Sequence, residues 1–246
     1  MSIFAISDLH LSFAVDKPMD RFGPQWIGHA DRVARAWRER VTQADTVLVC
    51  GDTSWAMRLD EAAADLAWLG ALPGRKVLLR GNHDYWWGSL AKLQRALPAG
   101  IEPLQNGCLE VEGWAVCGSR GWMLPAETSE PSDLGIYQRE LGRLRMSLEH
   151  APADRPRLAM LHYPPWMPGQ EETEVVQLLR EFGVRICVYG HLHDLEPGRY
   201  PEGEQDGIRY HCVSVDLIEF APRLVVGPQR ADDGLNPAPS DPLAAL

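Results

Sequence analysis

Histidine, aspartate and asparagine side chains that can bind metal ions occur in five short stretches, each directly after a run of apolar, strand-like residues. The stretches are Asp8-Leu9-His10, Gly51-Asp52, Gly81-Asn82-His83-Asp84, His162 and Gly190-His191-Leu192-His193. Carboxylate, imidazole and amide ligands form a mixed nitrogen and oxygen set that suits Mn, Fe, Zn or Ni, whereas the lack of thiolate argues against a closed structural zinc site. The pattern predicts a metal centre built from the ends of several strands.

Strands and helices must alternate along the chain to position these stretches. Apolar runs begin near residues 3, 46, 76, 158 and 186 and predict strands, and helical periodicity covers residues 26–41, 59–69, 131–149 and 171–182. Residues 108–118 predict a hairpin that turns at Glu112-Gly113, and residues 208–226 predict a hairpin or a pair of strands. The alternation predicts an α/β architecture in which loops at the carboxyl ends of the strands converge on one crevice.

The composition is that of an ordinary globular protein, because 45% of the 246 residues are hydrophobic and 24% are charged. We expect a single domain over residues 1–226 and a mobile C-terminal tail over residues 227–246, which are rich in Pro, Ala, Asp and Gly. No apolar run approaches the roughly 20 residues of a membrane helix, and Asp8 and His10 come too early for a signal peptide. These features predict a cytoplasmic protein without a membrane partner.

The net charge argues against long nucleic acid as a partner, and the spacing of the cysteines argues against disulfide bonds and a cysteine-based metal site. With 24 Lys and Arg against 34 Asp and Glu, the formal net charge is −10, and no basic stripe is present. Long nucleic acid is therefore an unfavoured partner, and a small substrate is preferred. The five cysteines form an odd set without a CxxC pair and lie in or beside apolar runs, so they are predicted to be reduced core residues.

The five stretches resemble, in their order and spacing, the blocks of the calcineurin-like metallophosphoesterase superfamily. Those blocks read D-x-H, G-D, G-N-H-[DE], H and G-H-x-H, and the match runs from Asp8 to His193. The most specific piece is Gly-Asn-His-Asp, which chance would produce in less than about one in a thousand such chains. The resemblance implies a two-sheet β-sandwich flanked by helices. The run Asp84-Tyr85-Trp86-Trp87 is similar to a little-characterised bacterial branch of phosphohydrolases.

The resemblance also implies two divalent metal ions, for which Mn is the favoured element, and roles for the individual residues around them. The residues implied to hold the first metal are Asp8, His10, Asp52 and His193. Asp52 would bridge to the second metal, whose other implied ligands are Asn82, His162 and His191. His83 would act as general acid or phosphate contact, and Asp84 would orient it, with a helix N-cap as the alternative for Asp84.

The chemistry of these side chains is consistent with hydrolysis of a phosphate ester. Two cations about 3.5–4 Å apart can activate a hydroxide and neutralise phosphate oxygens, and only a ligand with two usable oxygens, such as Asp52, can bridge them. The His83 imidazole can donate a proton to the leaving group, and glycines at 51, 81 and 190 allow sharp turns beside the metals. We therefore predict a phosphoesterase that cleaves a phosphodiester or phosphomonoester by metal-activated hydroxide.

Four further residues are candidates for contact with the substrate. Tyr85, Trp86 and Tyr163 follow two of the stretches, and their aromatic rings either pack in the core or form the wall of a pocket. Arg120 ends a predicted strand and either contacts the substrate phosphate or lies on the surface.

Two other functions stay open at this point. A metal-holding scaffold or interaction protein of the same fold would lack part of the catalytic set, and the presence of His83 argues against it. A nuclease would use the same metals, and the net charge of −10 argues against that activity.

Overall fold

A computed structural model describes residues 1–126 and 129–228 of the chain. Within these residues the strands form two mixed sheets. The first sheet has the order β11-β1-β2-β3-β4, and β11 alone is antiparallel to its neighbour. Its strands are β1 (Ile3–Ile6), β2 (Thr46–Val49), β3 (Arg75–Leu78), β4 (Ile101–Pro103) and β11 (Arg223–Val226).

The second sheet has the order β5-β6-β7-β8-β10-β9, with four parallel central strands and an antiparallel strand at each edge. Its strands are β5 (Cys108–Val111), β6 (Trp114–Ser119), β7 (Arg157–Leu161), β8 (Val184–Tyr189), β9 (Gly203–Gln205) and β10 (Ile208–Cys212). The sheets are joined at the carboxyl ends of β1 and β10, where the Ser7 N–H donates to the Val213 carbonyl at 2.8 Å.

Helices cover the outer faces of both sheets. The helices are α1 (His29–Arg40), α2 (Ala63–Gly70), α3 (Leu90–Ala96), α4 (Pro131–Glu149) and α5 (Glu174–Glu181). Along β1 the side chains alternate: Phe4 and Ile6 pack toward α1 and α2, whereas Ile3 and Ala5 pack between the two sheets. Helices α4 and α5 pack on the second sheet through residues such as Leu144 and Leu179. The two-sheet α/β sandwich flanked by helices is therefore confirmed.

Most of the predicted elements are present, including the hairpin of β5 and β6 and the helix α4. The first helix begins at His29 and not at Trp26, because Gly28 has a left-handed backbone (φ +61°) and Trp26 belongs to a short 3-10 helix, Pro24–Trp26. The hairpin alternative for residues 208–226 is wrong, since β10 pairs with β8 and β9 in one sheet while β11 pairs with β1 in the other.

The five cysteines are free thiols, and four of them are buried, as predicted. None of the helices in the described part of the chain is long and apolar enough to cross a membrane. A mobile tail was predicted over residues 227–246, and residues 229–246 lie outside the described part of the chain. The domain boundary therefore stays a prediction.

Candidate active site

The five predicted stretches meet at one end of the sandwich, where the parallel strands of both sheets end. Strands β1, β2 and β3 lead from the first sheet into Asp8, Asp52 and Asn82. Strands β7 and β8 lead from the second sheet into His162 and His191. Residues that are far apart in sequence therefore come together because the two sheets have their carboxyl edges at the same end of the molecule.

A first group of ligand atoms surrounds Asp8, whose carboxylate is fully buried. Ligand atoms of Asp8, His10 and His193 all lie within 4.8 Å of one another. His193 Nε2 is 3.7 Å from Asp8 Oδ1, and the His10 and His193 ring centroids are 5.5 Å apart.

A second group surrounds Asp52 and shares Asp8 with the first group. Asp52 Oδ2 is 3.5 Å from His162 Nε2 and 3.9 Å from His10 Nε2, so this oxygen lies between residues of the two groups. Asn82 Oδ1 is 2.6 Å from His162 Nε2 and 3.0 Å from His191 Nδ1. The seven residues implied as metal ligands are thus assembled in one continuous cluster.

Several acceptor atoms in this cluster face one another without a hydrogen-bond donor between them. His162 Nδ1 donates to the Cys50 carbonyl at 3.0 Å, and burial lowers the pKa of His162 to about 3, so its Nε2 is an unprotonated acceptor at pH 7. That nitrogen faces another acceptor, Asn82 Oδ1. Asp8 Oδ1 is a further acceptor of the cluster, buried without a hydrogen-bond partner among the described residues. Acceptors that converge in this way fit a bound cation.

The electrostatics of the cluster also fit cations. Burial, followed by the charges of Asp8 and Asp84, raises the pKa of Asp52 to about 9. A buried carboxylate next to two others keeps its proton in the absence of positive charge. A divalent cation beside Asp52 would remove this repulsion, so the donor set and its charge are both suited to metal binding.

The backbone is strained at four of the cluster residues. Asp8, His10, Asp52 and His191 have left-handed φ angles of +61°, +46°, +49° and +73°. Such angles cost about 1–3 kcal/mol at a residue other than glycine and persist only where the surrounding structure enforces them. Here the enforcement comes from backbone hydrogen bonds between the loops, such as Asp8 N–H to the Gly51 carbonyl at 3.0 Å.

Glycines 81 and 190 lie where a side chain would crowd the cluster, as expected, but neither has a left-handed φ. A Cβ atom on Gly81 would lie 2.1 Å from Asp52 Oδ1, and one on Gly190 would lie 2.5 Å from Asp8 Oδ2. Gly51 alone of the three predicted glycines has a left-handed φ, at +98°. Any side chain at 81 or 190 would therefore displace a candidate metal ligand.

His83 lies at the edge of the cluster and lines an open cavity. Its backbone N–H donates to Asp52 Oδ1 at 2.8 Å, and its ring centroid is 5.8 Å from that of His10. The half-buried ring is 4.5 Å from the Trp55 ring, centroid to centroid. Burial lowers the pKa of His83 below its ordinary value. The ring is placed where it can donate an N–H to a group bound at the cluster.

Asp84 does not orient His83, contrary to the role implied for it, and it does not cap a helix. Its Oδ1 accepts the backbone N–H groups of Thr53 and Ser54 and the Trp86 indole N–H, and its Oδ2 accepts the Gly81 N–H at 2.8 Å. Asp84 therefore ties the loop after β2 to the loop after β3, and it positions Asp52 and Asn82 through the backbone.

The three aromatic candidates have different surroundings. Trp86 is only 3% exposed and belongs to the core, so it does not form a pocket wall. Tyr163 is also buried, and its ring lies 4.1 Å from that of His191, so it supports a cluster residue. Tyr85 is 55% exposed with its ring 6.5 Å from that of His83, where it is accessible to a substrate.

Arg120 lies in a separate cavity of about 100 Å³, away from the one that His83 lines. It is neither at the surface nor among the cluster residues. Its guanidinium pairs with the buried Glu140 at 3.2 Å and stacks over the Trp122 ring at 4.5 Å. Arg143 makes a second pair with the same carboxylate at 2.6 Å.

Arg120→Ala is expected to lower the free energy of unfolding by about 1–3 kcal/mol, because the buried Glu140 loses one of its two partners. Urea denaturation measures the change. The matched control is Arg145→Ala, whose exposed pair with Glu181 should contribute less than about 1 kcal/mol. Unchanged stability of Arg120→Ala together with a raised KM would instead make Arg120 a substrate contact.

Asp216 is a site residue that the sequence analysis missed. It follows β10, the strand next to β8, and its Oδ1 accepts from His193 Nδ1 at 2.8 Å. Burial opposes charge on His193, but the hydrogen bond to Asp216 and the charges of Asp8 and Asp216 outweigh it and raise its pKa. The interaction directs His193 Nε2 toward Asp8. The sequence signal that could have identified Asp216 is its position shortly after an apolar, strand-like run, like the candidate ligands.

Asp216→Ala is expected to weaken Mn²⁺ binding by about 10–100-fold, because His193 loses the partner that sets its tautomer and orientation. Calorimetric titration of dialysed protein measures this. Asp194→Asn is the control, since it removes a carboxylate from the same cavity and leaves the hydrogen bond of His193 intact. Equal affinities in wild type and Asp216→Ala would contradict the positioning role.

Comparisons with known proteins agree with this geometry. Over part of its length the chain is similar to two curated phage proteins, each called Gene 66 protein. It is 38% identical over 84 residues to that of Mycobacterium phage D29 and 35% identical over 78 residues to that of Mycobacterium phage L5. These matches cover 34% and 32% of this chain, and 40% and 37% of the relatives, so the chain spans about two fifths of their length.

Solved structures share the whole fold. Phosphopantetheinyl hydrolase (PptH) from Mycobacterium tuberculosis superposes with a TM-score of 0.56 at 16% identity, over 94% of this chain and 98% of that one. The protein of unknown function AQ665 from Aquifex aeolicus has a TM-score of 0.51 at 17% identity, over 91% and 95%. The family model described as calcineurin-like phosphoesterase matches residues 1–195, which include every candidate ligand. The chain belongs to the calcineurin-like phosphoesterase family.

Proposed function

We propose that the protein hydrolyses a small phosphate ester with two divalent cations, Mn²⁺ being the favoured ion. The residues that would hold the first cation are Asp8, His10, Asp52 and His193, and those that would hold the second are Asp52, Asn82, His162 and His191. The observation that carries the proposal is the pair of unprotonated acceptors, His162 Nε2 and Asn82 Oδ1, which face each other at 2.6 Å beside the buried Asp52.

The cations would supply Lewis acidity that neutralises phosphate oxygens and makes a water molecule a stronger nucleophile. The side chains of this protein supply the remaining functions. Asp52 presents Oδ2 between His10 and His162, the place for a shared ligand. Asn82 contributes a neutral oxygen, so it adds no repulsion toward an anionic substrate. His83, half-buried at the cavity, donates an N–H or a proton to the oxygen of the leaving group.

Family membership supports an esterase of this kind, as does the fold shared with a protein named phosphopantetheinyl hydrolase. The presence of His83 in the cavity favours a catalyst over a non-catalytic scaffold. The preference for a small substrate over nucleic acid, and the cytoplasmic location, stay predictions from composition.

The test is hydrolysis of p-nitrophenyl phosphate and bis-p-nitrophenyl phosphate by protein loaded with Mn²⁺, with and without chelator. We expect turnover that chelator abolishes and that added Mn²⁺ restores, and the preferred ester separates monoester from diester chemistry. Two bound metals without hydrolysis of these esters or of a broad panel of phosphorylated metabolites would contradict the proposal and favour a metal-holding interaction protein.

A further inference from the structure

The cavity that His83 lines has one polar wall and one apolar wall. Its volume is about 350 Å³, within the ~300–1,000 Å³ range of cavities that hold small organic ligands. The polar wall includes His10, Asp52 and His193 of the cluster. The apolar wall consists of Met19, Phe22, Trp26 and Trp55, which the sequence analysis did not single out. A phosphoryl group bound at the polar wall would place the rest of the substrate against the apolar wall, where Lys17 Nζ also lies 4.9 Å from the centroid of the Trp55 ring.

Three of the four residues of the apolar wall are aromatic, and their rings lie next to the cluster. The Trp55 ring stacks on His10, with centroids 4.7 Å apart and planes at 18°. Phe22 lies nearly parallel to Trp55, with centroids 6.4 Å apart and planes at 10°. Trp26 closes another side of the cavity, 5.6 Å from the His193 ring. The rings therefore extend from a candidate metal ligand to the mouth of the cavity.

Phe22 is 64% exposed, although it belongs to a 3-10 helix, Met19–Phe22, that presents its other apolar residue, Met19, to the core. Tyr85, whose ring lies 6.5 Å from that of His83 but outside the cavity wall, is also more than half exposed. Apolar surface left open to water beside a reactive group indicates a contact for a ligand. Phe22 is thus the exposed ring of the cavity that His83 lines.

From this arrangement we propose that the natural substrate carries a flat aromatic group on the leaving oxygen, which binds in the cavity against Phe22 and Trp55. This inference rests on the proposed function, because it assumes that the phosphoryl group binds at the metal cluster. In the reaction, the oxygen of water forms a bond to phosphorus and gives up a proton to the solvent, and the bond between phosphorus and the leaving oxygen breaks. The leaving oxygen takes up a proton from His83, which regains one from the solvent. The products are the aromatic alcohol and phosphate, or a phosphate monoester if the substrate is a diester.

Binding of stable analogues tests the inference without turnover. In benzylphosphonate a CH₂ group replaces the ester oxygen, and ethylphosphonate lacks the ring. Calorimetry with Mn²⁺-loaded wild type should give a Kd about 10-fold or more lower for benzylphosphonate, because the ring is removed from water in the cavity. Phe22→Ala should weaken benzylphosphonate binding about 3–10-fold and leave ethylphosphonate binding unchanged, whereas Phe22→Tyr should retain the wild-type preference.

Phe13→Ala is the matched control, because Phe13 is similarly exposed but lies outside the cavity wall. It should leave both Kd values unchanged. Equal affinity of the wild type for the two phosphonates, or an equal effect of Phe22→Ala on both, would overturn the aromatic assignment and leave the phosphoesterase proposal standing. Failure of both phosphonates to bind to metal-loaded protein would instead overturn the proposed function itself.

Discussion

Asp52→Asn is expected to lower kcat/KM for phosphate ester hydrolysis by about 10³-fold or more. Asp52 Oδ2 lies between His10 and His162, and the substitution replaces one of its two oxygens and removes its charge. The measurement is steady-state hydrolysis of the preferred p-nitrophenyl ester at saturating Mn²⁺.

The fold should survive Asp52→Asn, because burial raises the pKa of Asp52 to about 9 and the metal-free protein already holds this carboxyl protonated at pH 7. Asparagine resembles that protonated form in shape and charge. Circular dichroism and urea denaturation of the metal-free proteins serve as the control and should agree closely. Retained activity in Asp52→Asn would exclude a role for Asp52 as a shared metal ligand.

His83→Ala is expected to lower kcat by about 10²–10⁴-fold for an ester with a poor leaving group, and much less for p-nitrophenyl esters. The physical reason is that p-nitrophenolate leaves without a proton, whereas the more basic phenolate leaves more readily when its oxygen receives a proton or an N–H. The half-buried His83 ring lies at an angle to Trp55, and its contact with Asp52 is through the backbone N–H, which alanine retains, so the metal ligands are expected to stay in place. The measurement compares wild type and variant on phenyl phosphate and on p-nitrophenyl phosphate.

A merely structural role for His83 would reduce both rates by the same factor, and that result would contradict its assignment as proton or N–H donor. Tyr85→Phe is a useful control, because Tyr85 is the neighbouring exposed ring and the substitution keeps its apolar surface. Its ratio of rates on the two esters should match that of the wild type. Mn²⁺ affinity of His83→Ala should also be unchanged, because His83 is outside both ligand groups.

The convergence of the candidate ligands could be predicted from sequence because each follows an apolar strand. Asp8, Asp52, Asn82, His162 and His191 all come directly after strands that run parallel within their sheets. Parallel strands present their carboxyl ends at the same edge, so order along the chain is enough to predict a shared crevice. The union of two sheets at that edge followed from the family resemblance.

Other features depend on contacts that a linear pattern does not contain. The roles of Asp84 and Arg120 are set by buried partners, which are backbone amides for one and Glu140 for the other. Asp216 acts through His193, and its strand was predicted without knowledge of which sheet it joins. The alternation of apolar and polar residues indicates which face of a strand is buried, but it does not identify the strand with which it pairs.

The aromatic wall was missed for a related reason. Phe22 lies in an irregular segment before α1, where neither helical nor strand periodicity applies. Trp55 follows the Gly51-Asp52 stretch by three residues, and core packing was the simplest expectation for a tryptophan. Only the three-dimensional placement of both rings next to His10 and His83 indicates that they face a cavity.

Anomalous diffraction from crystals grown with Mn²⁺ tests the central claim most directly. The account predicts two peaks, one bounded by Asp8, His10 and His193 and the other by Asn82, His162 and His191, with Asp52 between them. A single peak, or manganese bound away from these side chains, would contradict the two-metal site.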